Sequence, residues 1–259
     1  MSTATTSPSP IRIIVSGAGG RMGARVCALA MEDARFALVG AVEQRGSPAL
    51  GRHAAIRPGD AAPRITESAS FSADFRADAV IDFSSDFGAH AAAELALRTG
   101  AALLVGTTAL SESTSAALRD AAHRIAVLAA PNTSAGVAAA AILVERAARL
   151  LGPSFECAIV EAHHSAKRDA PSGTALRLAQ AARAGGADLV DENIASIRAG
   201  DVIGEHTVRF AAHGEYIEIT HRATTRDLFA HGALSATRWL VRQPPGWWTM
   251  NDVLGLPAR

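Results

Sequence analysis

Short apolar runs alternate with helix-forming stretches through the first half of the chain, and no other feature restricts the fold as strongly. Ile11 to Val15, Phe36 to Val42, Ala79 to Phe83, Ala101 to Val105 and Ile125 to Ala129 read as strands. Helical patterns follow through Ala30, from Gly88 to Arg98 and from Ser111 to His123. Strands that are apolar throughout must be covered on both faces, and helical connections bring each strand back parallel to the last. The expected architecture is α/β, a doubly wound parallel sheet. Between Gln44 and Ser70 only a loop and a short strand near Arg64 to Thr66 are expected.

The pattern changes after Asn132. Gly136 to Leu151 reads as a long helix closed by Gly152-Pro153, a usual helix stop. A strand from Phe155 to Val160 and a helix from about Gly173 to Ala184 follow. Ser196 to Arg198, Gly204 to Ala211 and Glu215 to Ala223 are short runs parted by turns, which suggests antiparallel hairpins. A helix from about Arg226 to Arg242 and the Pro244-Pro245-Gly246 break lead into the last segment. The second domain is therefore expected to be α+β, with an open sheet available for subunit contacts. The expected divisions are a disordered tail at 1–10, a dinucleotide-binding domain at 11–133, a second domain at 134–240 and a C-terminal segment at 241–259. At 259 residues the chain is long enough for two modest cores.

Charge and cysteine usage exclude several classes. Lys and Arg number 25 and Asp and Glu number 25, so no overall field recruits nucleic acid or an anionic membrane. No stretch is long and apolar enough to span a bilayer. Cys27 and Cys157 lack metal-ligand spacing and read as buried apolar residues of a cytoplasmic protein, with no metal site and no disulfide.

Two groups of residues carry chemistry. The first strand empties into Gly17-Ala18-Gly19-Gly20-Arg21-Met22-Gly23 and then a helix. Glycines there permit a tight turn and close approach of backbone to a pyrophosphate seated on the helix N-terminus. The spacing is a variant, since a strict G-x-G-x-x-G pattern would put its third glycine at Met22. Glu43 ends the second strand about twenty residues on, the place of an acid that meets ribose hydroxyls in a Rossmann-type site. Gly106-Thr107-Thr108 and Ala130-Pro131-Asn132-Thr133 follow later strands, where ligands of open α/β sheets bind.

The second group is Glu161 to Thr174, with His163, His164, Lys167, Asp169 and a Pro-Ser-Gly-Thr turn between strand and helix. Cationic and protonatable side chains concentrated on one loop suit proton transfer to an anionic substrate. Gly173 and Thr174 open a helix, whose N–H groups and dipole favour a carboxylate. Asp169 is expected to orient its neighbours or to make local turn hydrogen bonds.

These segments, together with Arg198 to His206 and Glu218 to His221, resemble the dihydrodipicolinate (4-hydroxy-tetrahydrodipicolinate) reductases of bacterial diaminopimelate and lysine biosynthesis. The resemblance runs from Ile11 nearly to the C-terminus. It implies a Rossmann-like N-terminal domain, a substrate-binding and oligomerisation domain, a homotetramer, and return of the last residues to the nucleotide domain. It implies NAD(P)H-dependent reduction of a small dicarboxylate cyclic imine, with His163 as proton donor and acceptor, Lys167 as proton donor, and His164, Gly173 and Thr174 binding substrate. The cofactor-binding set would be Gly17, Ala18, Gly19, Gly20, Arg21, Met22, Glu43, Gly106, Thr107, Thr108, Ala130, Pro131, Asn132 and Thr133. Two positions depart from the family. Thr133 stands where an aromatic residue is common, and Gln44 where an arginine often meets the 2′-phosphate of NADP, with Arg45 one place later. Use of NADH and NADPH with a preference for NADH is therefore expected. Alternatives are a nucleotide-sensing regulator without turnover, or another imine or semialdehyde dehydrogenase.

Overall fold

The computed structural model describes residues 9–55 and 62–256, so residues 1–8 of the expected tail fall outside it. In chain order the elements are β1 (Ile11–Ser16), α1 (Arg21–Glu32), β2 (Phe36–Val42), β3 (Ile65–Thr66), β4 (Ala79–Asp82), α2 (Asp86–Thr99), β5 (Ala102–Val105), α3 (Glu112–Ala121) and β6 (Ala126–Ala129). Then come α4 (Ala135–Leu151), β7 (Glu156–His163), α5 (Gly173–Ala184), β8 (Ile194–Arg198), β9 (Gly204–Ala212) and β10 (Glu215–Ala223). The chain closes with α6 (Asp227–Leu240), β11 (Gly246–Trp248) and α7 (Met250–Val253).

Seven strands form one parallel sheet in the order β11-β6-β5-β4-β1-β2-β3. Ile14, Val80, Leu103, Val105 and Val127 form one core with Ala89, Ala92 and Leu95 of α2 and Leu118 of α3. The alternate residues Ile13, Val15, Ile81, Leu104 and Leu128 are equally buried. Both faces are thus covered, which is why these strands are apolar at every position instead of every second one. The strand order reverses between β1 and β4, and a crevice at such a point is where open sheets take ligands.

Local chemistry starts most helices. Ser85, Ser111, Ser134 and Ser172 each accept the N–H of the residue three places on, capping α2, α3, α4 and α5. In α1 the N-cap is Gly20, with no side-chain cap.

The chain divides into two compact units, one made of residues up to Thr133 together with Phe229 onward, the other Ser134–Leu228. The second boundary thus falls at 228/229, where the sequence pattern had suggested 240/241. The reason lies in α6, which buries Ala230, Ala233, Leu234, Thr237 and Leu240. His231, Leu234 and Arg238 share a cavity with Leu29, Asp33 and Phe36 at the end of α1 and the start of β2. An apolar helical face does not encode which sheet it will cover. The strand β11 adds to the edge of the first sheet beside β6.

The second unit holds a mixed sheet in the order β10-β9-β7-β8. A β9–β10 hairpin is present, but β8 runs parallel to β7 and is no hairpin partner. The α5 crossover carries the chain back to the starting edge, so β8 enters in the same direction as β7. Cys157, Ile159, Val208 and Phe210 pack on Val144 and Ala148 of α4 and on Leu178, Ala179 and Ala182 of α5. The other face leaves Val160, Ile197 and Tyr216 exposed. Among the described residues no helix is long and apolar enough to cross a membrane.

Candidate active site

The glycine turn after β1 leaves no room for side chains where the backbone folds on itself. Gly17 has φ +75°, and a Cβ there would lie 2.3 Å from the Phe83 carbonyl oxygen; one at Gly23 would lie 2.1 Å from the Gly17 oxygen. Gly17 serves the tight turn and Gly23 the close approach of α1 to β1, with the spacing shifted by one residue from the strict pattern. Glu43, half-buried at the end of β2, accepts from Gly19 N at 3.0 Å and from Gln44 N at 3.2 Å, so its carboxylate stands against this turn. Gln44 and Arg45 are exposed, and Gly46 turns the chain with φ +81°. An uncapped helix start, a glycine-rich turn and an adjacent carboxylate fit a dinucleotide's pyrophosphate and ribose.

The next two turns are braced differently. Buried Asp82 accepts from Ser84 Oγ and Thr107 Oγ1, both at 2.5 Å, and Thr107 Oγ1 in turn accepts Ser84 N at 2.8 Å. Burial pushes the Asp82 pKa up while these hydrogen bonds oppose it. Thr107 therefore ties the Gly106-Thr107-Thr108 turn to the end of β4, and a Cβ at Gly106 would collide with the Phe83 ring at 2.2 Å. Thr108 and Pro131 are exposed, Asn132 is half-buried, and Ala130 is buried. Thr133 is also buried, and its hydroxyl donates to the Phe229 carbonyl at 2.7 Å. That hydrogen bond ties together the two points where the chain passes between units.

In the second unit β7 runs three residues beyond its apolar stretch, to His163. Its buried positions are Cys157, Ile159, Glu161 and His163, so the inward face continues with an acid and a histidine in place of aliphatic residues. His163 consequently sits at a strand end and not on the loop. Strand register sets Arg198 of β8 beside His163, His206 of β9 beside Glu161, and His221 of β10 beside His206. Polar side chains from four strands are thereby gathered on one face.

Glu161, fully buried, is the hub. Arg198 grips it with Nη2 on Oε1 at 2.7 Å and Nη1 on Oε2 at 3.0 Å. Ser172 N donates to Oε1 at 3.2 Å, and His163 Nδ1 hydrogen-bonds to Oε2. Burial alone would raise the Glu161 pKa, but the hydrogen bonds from Arg198, Ser196 and His163 overcome it and hold the carboxyl down at about 2. An ionised carboxylate only accepts, so the proton of this bond belongs to His163 Nδ1. Burial lowers the His163 pKa, with Glu161 opposing, which favours the neutral ring with its lone pair on Nε2. A side chain at Gly204 would begin 3.0 Å from that Nε2.

The remaining residues lie around this hub. Lys167 Nζ reaches both oxygens of Asp169 at 2.7 Å. Asp169 thus holds the lysine, its own pKa lowered by that contact, and its carbonyl accepts Arg198 Nη2 at 2.6 Å. Half-buried His164 accepts Lys167 N on its carbonyl at 3.0 Å. The loop closes through a cis Ala170–Pro171 peptide into Ser172. Beyond it Gly173 is exposed, with open space where a side chain would stand. His206 lies edge-on to His163 with ring centres 5.1 Å apart, meets Ser172 Oγ through Nε2 at 3.2 Å, and is pushed down to about 4 by burial and the neighbouring rings. Glu161, His163 and His206 lie within metal-bridging range, but Arg198 already occupies both oxygens of the carboxylate. Hence the donor set suits hydrogen bonding and not a cation. The thiols are no nucleophiles, because burial raises Cys27 to about 12 and Cys157 to about 11.

Glu161, Arg198 and His206 had no role assigned from sequence. Alternation along β7 was the available signal, since its buried period runs straight through Glu161 and His163.

A parallel sheet with a glycine turn of this kind, and a second unit that gathers histidine, lysine, arginine and carboxylate side chains, are the features of a nicotinamide-dependent oxidoreductase. Residues 11–133 match the family described as dihydrodipicolinate reductase, N-terminus, and residues 136–254 match dihydrodipicolinate reductase, C-terminus. The 4-hydroxy-tetrahydrodipicolinate reductase of Xanthomonas euvesicatoria pv. vesicatoria is 44% identical over 246 residues, covering 95% of this chain and 98% of that protein. That of Myxococcus xanthus is 42% identical over 265 residues with the same coverage. The chain belongs to the dihydrodipicolinate reductase family. A dipicolinate-bound dihydrodipicolinate reductase from Paenisporosarcina sp. TG-14 shares the fold, with a TM-score of 0.75 at 20% identity over 94% of this chain and 98% of that one. An amine dehydrogenase from Mycobacterium smegmatis also matches over 97% and 98% of the two chains, with a TM-score of 0.58 at 11% identity, so fold alone does not select the substrate.

Proposed function

We propose that the protein reduces 4-hydroxy-tetrahydrodipicolinate (dihydrodipicolinate) to tetrahydrodipicolinate with NAD(P)H, in diaminopimelate and lysine biosynthesis. Family membership along nearly the whole chain carries this reading, and the Glu161–His163–Arg198 cluster beside Lys167 agrees with it. Reduction adds one hydride and one proton to the conjugated imine, and a bound nicotinamide supplies the hydride. Gly17 to Met22, Glu43, Gly106 to Thr108 and Ala130 to Thr133 hold the dinucleotide. Lys167 gives up Asp169 for the substrate and delivers the proton, and neutral His163 assists through Nε2. His164 and the N–H groups of Gly173 and Thr174 bind the substrate carboxylates.

The same reading makes the protein a homotetramer, with Val160, Ile197 and Tyr216 on the bare sheet face as candidate contacts. It assigns the protein to the cytoplasm, which the two buried free thiols support.

Both cofactors are expected to serve, NADH the better, because Glu43 accepts from ribose hydroxyls but repels a 2′-phosphate and Gln44 adds no charge. Gln44→Arg should raise kcat/KM for NADPH about tenfold and leave NADH nearly unchanged. Strong wild-type preference for NADPH, lost in Arg45→Ala, would show that Arg45 serves the phosphate. The reaction is tested by a coupled assay with dihydrodipicolinate synthase, pyruvate and aspartate semialdehyde, following loss of NADH or NADPH absorbance. Turnover is expected; none with either cofactor would favour a nucleotide sensor.

A further inference from the structure

We infer that Glu161 is a positioning residue that sets two parts of the reaction at once, the tautomer of His163 and the seat of the α5 N-terminus. This rests on the proposed roles of His163, Gly173 and Thr174. Each oxygen of the carboxylate has its own work. Oε2 receives His163 Nδ1, and Oε1 receives Ser172 N at 3.2 Å. Ser172 is the N-cap of α5, its hydroxyl accepting Ala175 N at 3.2 Å and meeting His206 Nε2 at 3.2 Å. Gly173 and Thr174 follow it directly. One rigid group therefore spans the ring that handles the proton and the helix start that meets the substrate carboxylate.

Arg198 makes that group dependable. Its fork orients the carboxylate and offsets its charge, and its own positive charge disfavours protonation of His163. With Nδ1 donating to Glu161, only Nε2 is left to exchange a proton with a ligand, and Gly204 leaves that side of the ring without a side chain. An anionic acceptor behind a histidine fixes ring and tautomer in other proton-transfer and metal sites by the same physics.

Glu161→Gln separates the two roles. The amide oxygen is expected to stay under Ser172 N and Arg198 Nη2, while Arg198 Nη1 keeps the Ile197 carbonyl at 2.7 Å. The amide NH2 then faces His163 and forces Nδ1 to accept, which moves the ring proton to Nε2. The variant should lose kcat by about a hundredfold with KM for the ring substrate held within about threefold, as expected of a wrong tautomer in a still-assembled site. Glu161→Ala, which also releases Ser172, should raise KM by about tenfold as well. Neutron diffraction from deuterium-exchanged crystals of the wild-type protein should show the His163 deuteron on Nδ1.

A wild-type deuteron on Nε2, wild-type kcat in Glu161→Gln, or a loss there confined to KM would each overturn the assignment. If neither variant folds, the wild-type neutron result decides alone. A wild-type protein without reductase activity would sink the functional reading, and the neutron experiment would still report which nitrogen Glu161 holds.

Discussion

Lys167→Ala is expected to lower kcat by about a hundredfold or more, with a much smaller change in KM, because it removes the group proposed to deliver a proton in the transition state. Nζ is paired with both oxygens of Asp169 at 2.7 Å, so the charge is held in place by its neighbour. A substrate carboxylate can draw the lysine over by offering the same kind of acceptor. His163→Ala should cost a similar factor, since it deletes the neutral ring and leaves Glu161 and Arg198 paired behind it. His164→Ala should raise KM more than it lowers kcat. Steady-state rates of the three variants with both cofactors check the set. If Lys167→Ala turns over at the wild-type rate, the proton comes from elsewhere and the lysine serves binding alone.

Arg198→Ala should cost about 3 kcal/mol of stability at neutral pH, the usual consequence of leaving a buried charge without its partner. The pH dependence carries the diagnosis. In the wild type Glu161 titrates at about 2 in the folded state against 4.5 ordinarily. Its contribution is thus complete above about 4.5 and is lost as pH falls toward 2. Without Arg198, burial dominates and raises the folded pKa above the ordinary value. A group raised in this way stabilises below its unfolded pKa and loses that stability as pH climbs through the folded one. The difference between wild type and variant should therefore be largest near pH 7 and shrink toward pH 4, as denaturant titrations across that range would measure. A pH-independent difference would mean that Arg198 contributes by packing alone.

Periodicity and turn chemistry determined most of the first unit from sequence alone. Strands apolar at every position require two covered faces, and glycine at positions 17 and 23 answers a local need of the chain, visible in spacing before any contact is known. The composition of Glu161 to Thr174 likewise marks a candidate site, because protonatable groups crowded beside a helix start have few structural uses. Local signals failed where partners are distant in sequence. The pairing of Glu161 with Arg198 spans 37 residues and that of Ser172 with His206 spans 34, and both depend on how β7, β8 and β9 are set in register. The direction of β8 was decided by the α5 crossover. The membership of α6 in the first unit was decided by its meeting the end of α1 and the start of β2. Thr133 shows the same limit: no local signal indicates that its hydroxyl donates to the carbonyl of Phe229, 96 residues away. Residue types and their spacing report what chemistry a chain can perform. The polar groups buried beside one another, and hence the protonation and orientation of His163, are set only when the strands pair, because burial and charge act through space and not along the chain.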